Sequence, residues 1–229
     1  MQKGLTEQEI IEREFVKSVY KDQHDIIRVV MKLYCPNGIE LDPTYSIGQF
    51  YVGVPQPKFK YDIEPQIEGV IKADCQQLPN PNDSINSIMF DPPFVAGIGK
   101  DGKPGIIRTR FGSYKTIEDL WQMYHGALKE FYRILKVGGV LVVKCQDTIS
   151  SGKQYLSHVE IINYAINTGF YPIDMLILLA DNRILDGHGK QQHARKYHSY
   201  FLIFKKQKCR VGYTSSNHSL ADIPQGDTE

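Results

Sequence analysis

Short apolar runs that alternate with helix-patterned stretches constrain this chain more than any other feature of its sequence. One run ends at Leu41, and others cover residues 59–63, 70–73, 85–90, 140–143, 175–180 and 200–204. Each has the length of a strand. Between two of them, residues 116–135 place Leu120, Tyr124, Leu128, Phe131 and Leu135 on one helical face, with Thr116 and Asp119 spaced to cap the start. Gly138-Gly139 then turns the chain into the next strand, and a further helix from Ser157 carries Val159, Ile162 and Ile166 and stops at Gly169. Strands alternating with helices predict an α/β fold: a mainly parallel sheet with helices on both faces.

Ahead of the sheet, Thr6-Glu7-Gln8-Glu9 has a capping-box pattern and is followed by Ile10, Ile11, Phe15 and Val19 at mostly helical spacing. A second helix is expected over residues 25–33, ended by Pro36-Asn37-Gly38. Residues 1–38 thus read as an N-terminal helical segment of one domain spanning 1–208. Residues 209–229, rich in Ser, Gly, Asn and Asp without apolar periodicity, read as a flexible tail. No apolar run approaches the roughly 20 residues that cross a bilayer, and no signal peptide is recognisable. A cytoplasmic protein without a membrane partner is expected.

Lys and Arg number 27 against 26 Asp and Glu, so a polyanionic partner must be met by local clustering rather than net charge. Two segments are clustered. Residues 97–115 carry Lys100, Lys103, Arg108, Arg110 and Lys115 against Asp101 alone, and residues 183–198 contain Lys190, His193, Arg195, Lys196 and His198. The first is long and glycine-rich, which suits a segment that grips phosphates. The four cysteines, Cys35, Cys75, Cys145 and Cys209, show no C-x-x-C spacing, and the histidines lack matching thiolates or carboxylates. Free thiols and no metal are expected.

The run at 85–90 leads directly into Asp91-Pro92-Pro93-Phe94. Prolines stiffen the turn where a strand ends, so Asp91 falls at the carboxyl end of a central strand, where open parallel sheets bind ligands. Fourteen residues beyond Gly48 lies Asp62, an acid ending the second strand, placed as nucleoside-binding sheets place the acceptor for both ribose hydroxyls. The spacing is short, which implies a short first helix interrupted by Pro55 and Pro57.

Taken together, these motifs resemble those of the amino-methyltransferases. Leu41-Asp42-Pro43-Thr44-Tyr45-Ser46-Ile47-Gly48 resembles their first motif, commonly D-P-F-x-G-S-G, and Asp91-Pro92-Pro93-Phe94 resembles the catalytic [DNS]-P-P-[YFW]. Leu135-Lys136-Val137-Gly138-Gly139 stands where the family has L-K-P-G-G, and the motifs follow in family order over residues 39–204. The resemblance implies a Rossmann-like class I methyltransferase with a seven-stranded sheet and a C-terminal antiparallel hairpin. It implies S-adenosylmethionine as cofactor and an exocyclic nucleobase amine as target. Thr44-Tyr45-Ser46 departs from the family's F-x-G, so the first glycine is lost.

By the same resemblance, Asp91 and the Pro92 carbonyl accept hydrogen bonds from the two amine protons, which localises the nitrogen lone pair. Pro92 and Pro93 fix that carbonyl, and Phe94 stacks on the base. Asp42, Pro43, Thr44 and Gly48 would lie by the methionine moiety, Asp62 on the ribose, and Asp74 with Cys75 by the adenine. A helix cap or turn former is the alternative reading of Asp62 and of Asp74. Methylation of a cytosine carbon needs a cysteine presented after a proline, and none follows one here.

The leading expectation is N6-methyladenine formation in DNA. An RNA adenine-N6 or guanine-N2 enzyme and a catalytically silent nucleic-acid-binding subunit are the alternatives. No recognition region intervenes between the motifs, so target recognition falls to Lys100, Lys103, Arg108, Arg110, Arg195 and Lys196, to a partner subunit or homodimer, or to the structure of the substrate.

Overall fold

The computed structural model describes residues 16–94, 114–181 and 192–208. The helix expected from Thr6, the basic residues Lys100, Lys103, Arg108 and Arg110, and the tail at 209–229 lie outside them. In chain order the elements are β1 (Val19–Tyr20), α1 (Gln23–Leu33), β2 (Leu41–Asp42), a 3-10 turn (Gln49–Tyr51), β3 (Phe59–Asp62), β4 (Ile71–Lys72) and β5 (Ile85–Phe90). They continue as α2 (Ile117–Ile134), β6 (Leu135–Cys145), β7 (Thr148–Ser150), β8 (Lys153–Tyr155), α3 (Ser157–Thr168), β9 (Phe170–Leu179) and β10 (His198–Lys206).

Eight strands form one sheet in the order β1-β9-β10-β6-β5-β2-β3-β4, and β7 and β8 form a separate hairpin. All pairings in the sheet are parallel except the two that β10 makes, with β6 and with β9. This is the expected parallel sheet with its C-terminal antiparallel hairpin, one strand wider than the seven expected. The extra strand comes from Val19, whose sequence spacing suggests a helix; Val19 and Tyr20 instead pair with Ile177 and Leu178 at the sheet edge.

Side chains alternate across the central strands and divide the core in two. Ile88 and Phe90 of β5, Leu141 and Val143 of β6, and Leu202 and Phe204 of β10 face α2 and α3. Met89, Val140, Val142, Phe201 and Ile203 face the other way, onto Ile26, Ile27 and Val30 of α1. Strands buried on both faces need continuous apolar sequence, which Ile88–Phe90 of β5 and Val140–Val143 of β6 supply.

Helix α2 starts at the expected capping box: Asp119 N donates to Thr116 Oγ1 and Thr116 N to Asp119 Oδ2, each at 3.1 Å. Its buried stripe is Leu120, Tyr124, Ala127, Leu128, Phe131 and Ile134. Leu135 already belongs to β6, so Gly138-Gly139 does not turn the chain ahead of the strand. It forms a bulge inside it, where Ile85 pairs with Leu135 but Ser87 with Val140. Gly138 has φ +83, and a Cβ on Gly139 would lie 2.8 Å from the Lys136 carbonyl oxygen. Helix α3 does stop at Gly169, with φ +118. Its packed face is centred on Ile161 and Ala165 rather than Val159, which is 40% exposed. Apolar residues flank the true stripe on both sides and blur its phase. No described helix is long and apolar enough to cross a membrane.

This topology has one consequence for function. From β2 the chain moves outward through β3 and β4 on one side, and from β5 outward to β6 on the other. The order reverses between β2 and β5, and the space beyond their carboxyl ends is the usual ligand position in open parallel sheets.

Candidate active site

Asp42 ends β2 and is 1% exposed. One of its carboxylate oxygens accepts from Thr44 N at 2.8 Å and Thr44 Oγ1 at 3.2 Å, and the other from the Tyr51 hydroxyl at 2.8 Å. Burial pushes its pKa up to about 7, against the hydrogen bonds from Thr44 and Tyr51. Thr44 Oγ1 in turn accepts from Asp91 N at 2.9 Å. The turn after β2 and the loop after β5 are therefore tied together through one threonine hydroxyl.

Asp91 follows β5, as expected. Its Oδ2 lies 3.3 Å from Lys144 Nζ of β6, and the Lys144 ammonium also sits 4.8 Å from the Phe50 ring centre and 5.7 Å from that of Phe201. Burial raises the Asp91 pKa, and the Lys144 charge opposes that rise. Pro92 is buried, with Pro93 and Phe94 half-buried beside it.

The lost glycine of the first motif has a structural answer. Ser46 stands in its place and adopts the left-handed backbone a glycine would, with φ +50, and its N–H donates to Asp62 Oδ2 at 2.9 Å. Asp62 Oδ1 accepts from Glu64 N at 2.9 Å, so each Asp62 oxygen holds one backbone donor and keeps a second acceptor position. Gly48, with φ +75, is approached closely by the Tyr45 ring: a Cβ there would lie 2.6 Å from Tyr45 Cζ. Tyr45 stacks on Tyr51, and its hydroxyl donates to Gln56 Oε1. The short first helix expected after Gly48 is a single 3-10 turn.

Asp74 is exposed, and its Oδ1 accepts from Gln76 N at 2.8 Å, a turn-forming contact. Cys75 is half-buried, and burial, aided by the neighbouring Asp74, pushes its thiol up to about 12, so it stays protonated. The phenol of Tyr114 is likewise raised by burial, and the Asp74 carboxylate adds to the rise.

Beyond β6, at the same edge of the sheet, Asp147 is buried with its carboxylate 2.7 Å from His158 Nδ1. The His158 ring stacks on Tyr200 at 4.3 Å. Next to them a cleft of about 240 Å³ is lined by Gln146, Asp147, Thr148, His193, Arg195 and Lys196. Arg195 and Lys196 thus sit together, apart from Asp91 but at the same carboxyl edge. Among the described residues no group of three or more His, Cys, Asp or Glu could hold a metal ion. Sequence reading missed Lys144, Tyr51 and the Asp147–His158 pair. A lysine closing the apolar run Leu141–Val143 was the one available signal.

The family model described as DNA methylase, covering N6- and N4-methyltransferases, matches residues 85–228. No curated protein matches the sequence. Solved structures similar to the chain include a putative DNA modification methylase from Thermus thermophilus complexed with S-adenosyl-L-methionine, 19% identical over 62% of this chain and 55% of that one, TM-score 0.42. TrmN from Thermus thermophilus is 13% identical over 80% of this chain and 48% of its own, TM-score 0.49. The PvuII DNA methyltransferase, cytosine-N4-specific, is 15% identical over 60% and 48%, TM-score 0.45. The chain spans about half the length of each of these three.

Proposed function

The chain belongs to the DNA methylase family of amino-methyltransferases, and from that premise we propose that it transfers a methyl group from S-adenosylmethionine to the N6 amine of adenine in DNA. The observation that carries this reading is Asp91: a partly buried carboxylate at the carboxyl end of β5, beside the point where strand order reverses, with its backbone N–H anchored on Thr44. An exocyclic amine is a poor nucleophile because its lone pair is delocalised into the ring. Asp91 and the Pro92 carbonyl accept its two protons' hydrogen bonds and localise that lone pair. The fixed φ of Pro92 and Pro93 holds the carbonyl in place, and Phe94 supplies an aromatic face for the base.

The bound cofactor supplies a methyl group activated on a positively charged sulfur. The residues around these strand ends suit it. Asp62 retains acceptor positions on both oxygens for ribose hydroxyls, and Asp74 offers a carboxylate oxygen for an adenine amine, with the neutral Cys75 thiol alongside. Asp42 has its oxygens committed to Thr44 and Tyr51, so with Pro43, Thr44 and Gly48 it shapes the turn that faces the cofactor. Lys100, Lys103, Arg108, Arg110, Arg195 and Lys196 contact the phosphates of the DNA.

The test is to incubate purified protein with labelled cofactor and duplex DNA, single-stranded DNA or RNA, then identify the methylated nucleoside by mass spectrometry. N6-methyladenine in DNA is expected. N4-methylcytosine would correct the base, a labelled RNA nucleoside would correct the substrate, and no labelled nucleoside at all would overturn the reading.

A further inference from the structure

Among the described residues, the ionisable groups electrostatically linked to Asp91 are Lys144 and Cys145 on β6, Asp42 at the end of β2, Tyr51 in the following turn, and Tyr124 on α2. Lys144 is the cation of that set. Its side chain is 12% exposed, and it projects from a strand whose neighbouring residues Leu141, Val142, Val143 and Cys145 are fully buried. An ammonium in such a place is costly unless a carboxylate and polarisable neighbours compensate. The compensation is specific: Asp91 Oδ2 at 3.3 Å on one side, and the rings of Phe50 and Phe201 on the others.

An ionised carboxylate accepts a hydrogen bond from an amine more strongly than a carboxylic acid does, because protonation turns one of its two acceptor oxygens into a donor. Burial pushes Asp91 toward the protonated form, and a charged Asp42 nearby would push it further. Resting on the reading of Asp91 as the acceptor for the target amine, we propose that Lys144 is a positioning residue for methyl transfer: it holds Asp91 Oδ2, keeps the carboxylate ionised, and leaves Oδ1 for the amine. The aromatic pair fixes the ammonium in turn. Phe50 reaches it from the turn after β2 and Phe201 from β10, so elements on both sides of β5 and β6 set its position.

The test uses the full chain with ¹³C-carboxyl-labelled aspartate, comparing native protein with Lys144→Met and Lys144→Arg by NMR titration, and assigning the Asp91 signal with Asp91→Asn. Asp91 should titrate about one to three pH units higher in Lys144→Met and return most of the way in Lys144→Arg. Lys144→Gln gives the same comparison should the methionine variant fail to fold. Coincident titrations in native and charge-neutral variants overturn the proposal. The second arm is the pH profile of kcat/KM for methyl transfer, whose acid limb should move up with the titration while cofactor affinity stays level. A titration that moves without the acid limb overturns the role in the reaction. A native chain that methylates nothing overturns the functional reading instead, and that result is distinct because the titration needs no substrate.

Discussion

Ser46 occupies a backbone conformation that costs an L-residue roughly 1–2 kcal/mol and a glycine almost nothing. It holds that conformation because its N–H is fixed on Asp62. Ser46→Gly should leave stability within about 1 kcal/mol of native, since relief of strain is offset by the freedom glycine gains in the unfolded chain. Ser46→Val, branched at Cβ, should lose roughly 1–2 kcal/mol in urea denaturation; a valine variant as stable as native would mean the turn carries no such strain. Asp42 makes a pH-dependent contribution of its own. Its folded pKa, about 7, is raised above the ordinary value of 3.8, so the folded state binds the proton more tightly. The stability this provides is fully present below pH 3.8 and is lost as pH rises toward 7. Asp42→Asn keeps a neutral side chain of the same shape and removes the titration. Its stability relative to native should therefore rise steadily between pH 4 and pH 7, and parallel stability curves for the two proteins across that window would refute the assignment.

At the scale of elements, α2 lacks the glycine that commonly ends a helix, and its last carbonyls are met from far along the chain. Lys206 Nζ, in a side chain 8% exposed, donates to the Tyr132 carbonyl at 2.6 Å, to the Leu135 carbonyl at 2.7 Å and to Asp83 Oδ1 at 2.7 Å. A cation is favoured at a helix C-terminus, and here it also satisfies buried acceptors. Lys206→Met should cost roughly 2–4 kcal/mol, read by chemical denaturation; a loss below about 0.5 kcal/mol would show that water replaces the ammonium. This helix illustrates what is legible in the sequence. Its start is written locally, in Thr116 and Asp119, whereas its end depends on a residue brought in by β10. The same division runs through the site. Asp91 and its prolines can be placed because the apolar residues Ile88, Met89 and Phe90 run directly into them. Lys144, Tyr51 and Ser46 cannot, because their roles depend on contacts across the sheet and on one backbone angle. Val19 reads as helix in the sequence because two residues of strand leave no periodicity of their own.

At the scale of the molecule, a net charge of +1 provides no long-range attraction for DNA, so any grip must come from local surfaces. Under the proposed function, the target adenine of a duplex must leave the stack to reach the carboxylate at the sheet's carboxyl edge, at a cost of a few kcal/mol. The backbone on either side must be held while it does. Arg195 and Lys196 border the cleft beyond β6 at that same edge, and Arg108 and Arg110 follow Asp91-Pro92-Pro93-Phe94 in sequence. Each phosphate neutralised releases counterions, so log affinity for duplex DNA falls with log salt by about 0.9 per contact. Two paired substitutions separate the contributions: Arg195→Ala with Lys196→Ala, and Arg108→Ala with Arg110→Ala. Fluorescence anisotropy of a labelled duplex, titrated at several salt concentrations, should show a slope flatter by about 0.9 for each contact removed. Cofactor affinity, read by calorimetry, should hold level in both variants, because neither pair lies on the turn that carries Ser46 or at the end of β3 that carries Asp62. If only one pair changes the slope, only that segment contacts the phosphates. If neither does, the phosphate contacts assigned to both segments are wrong.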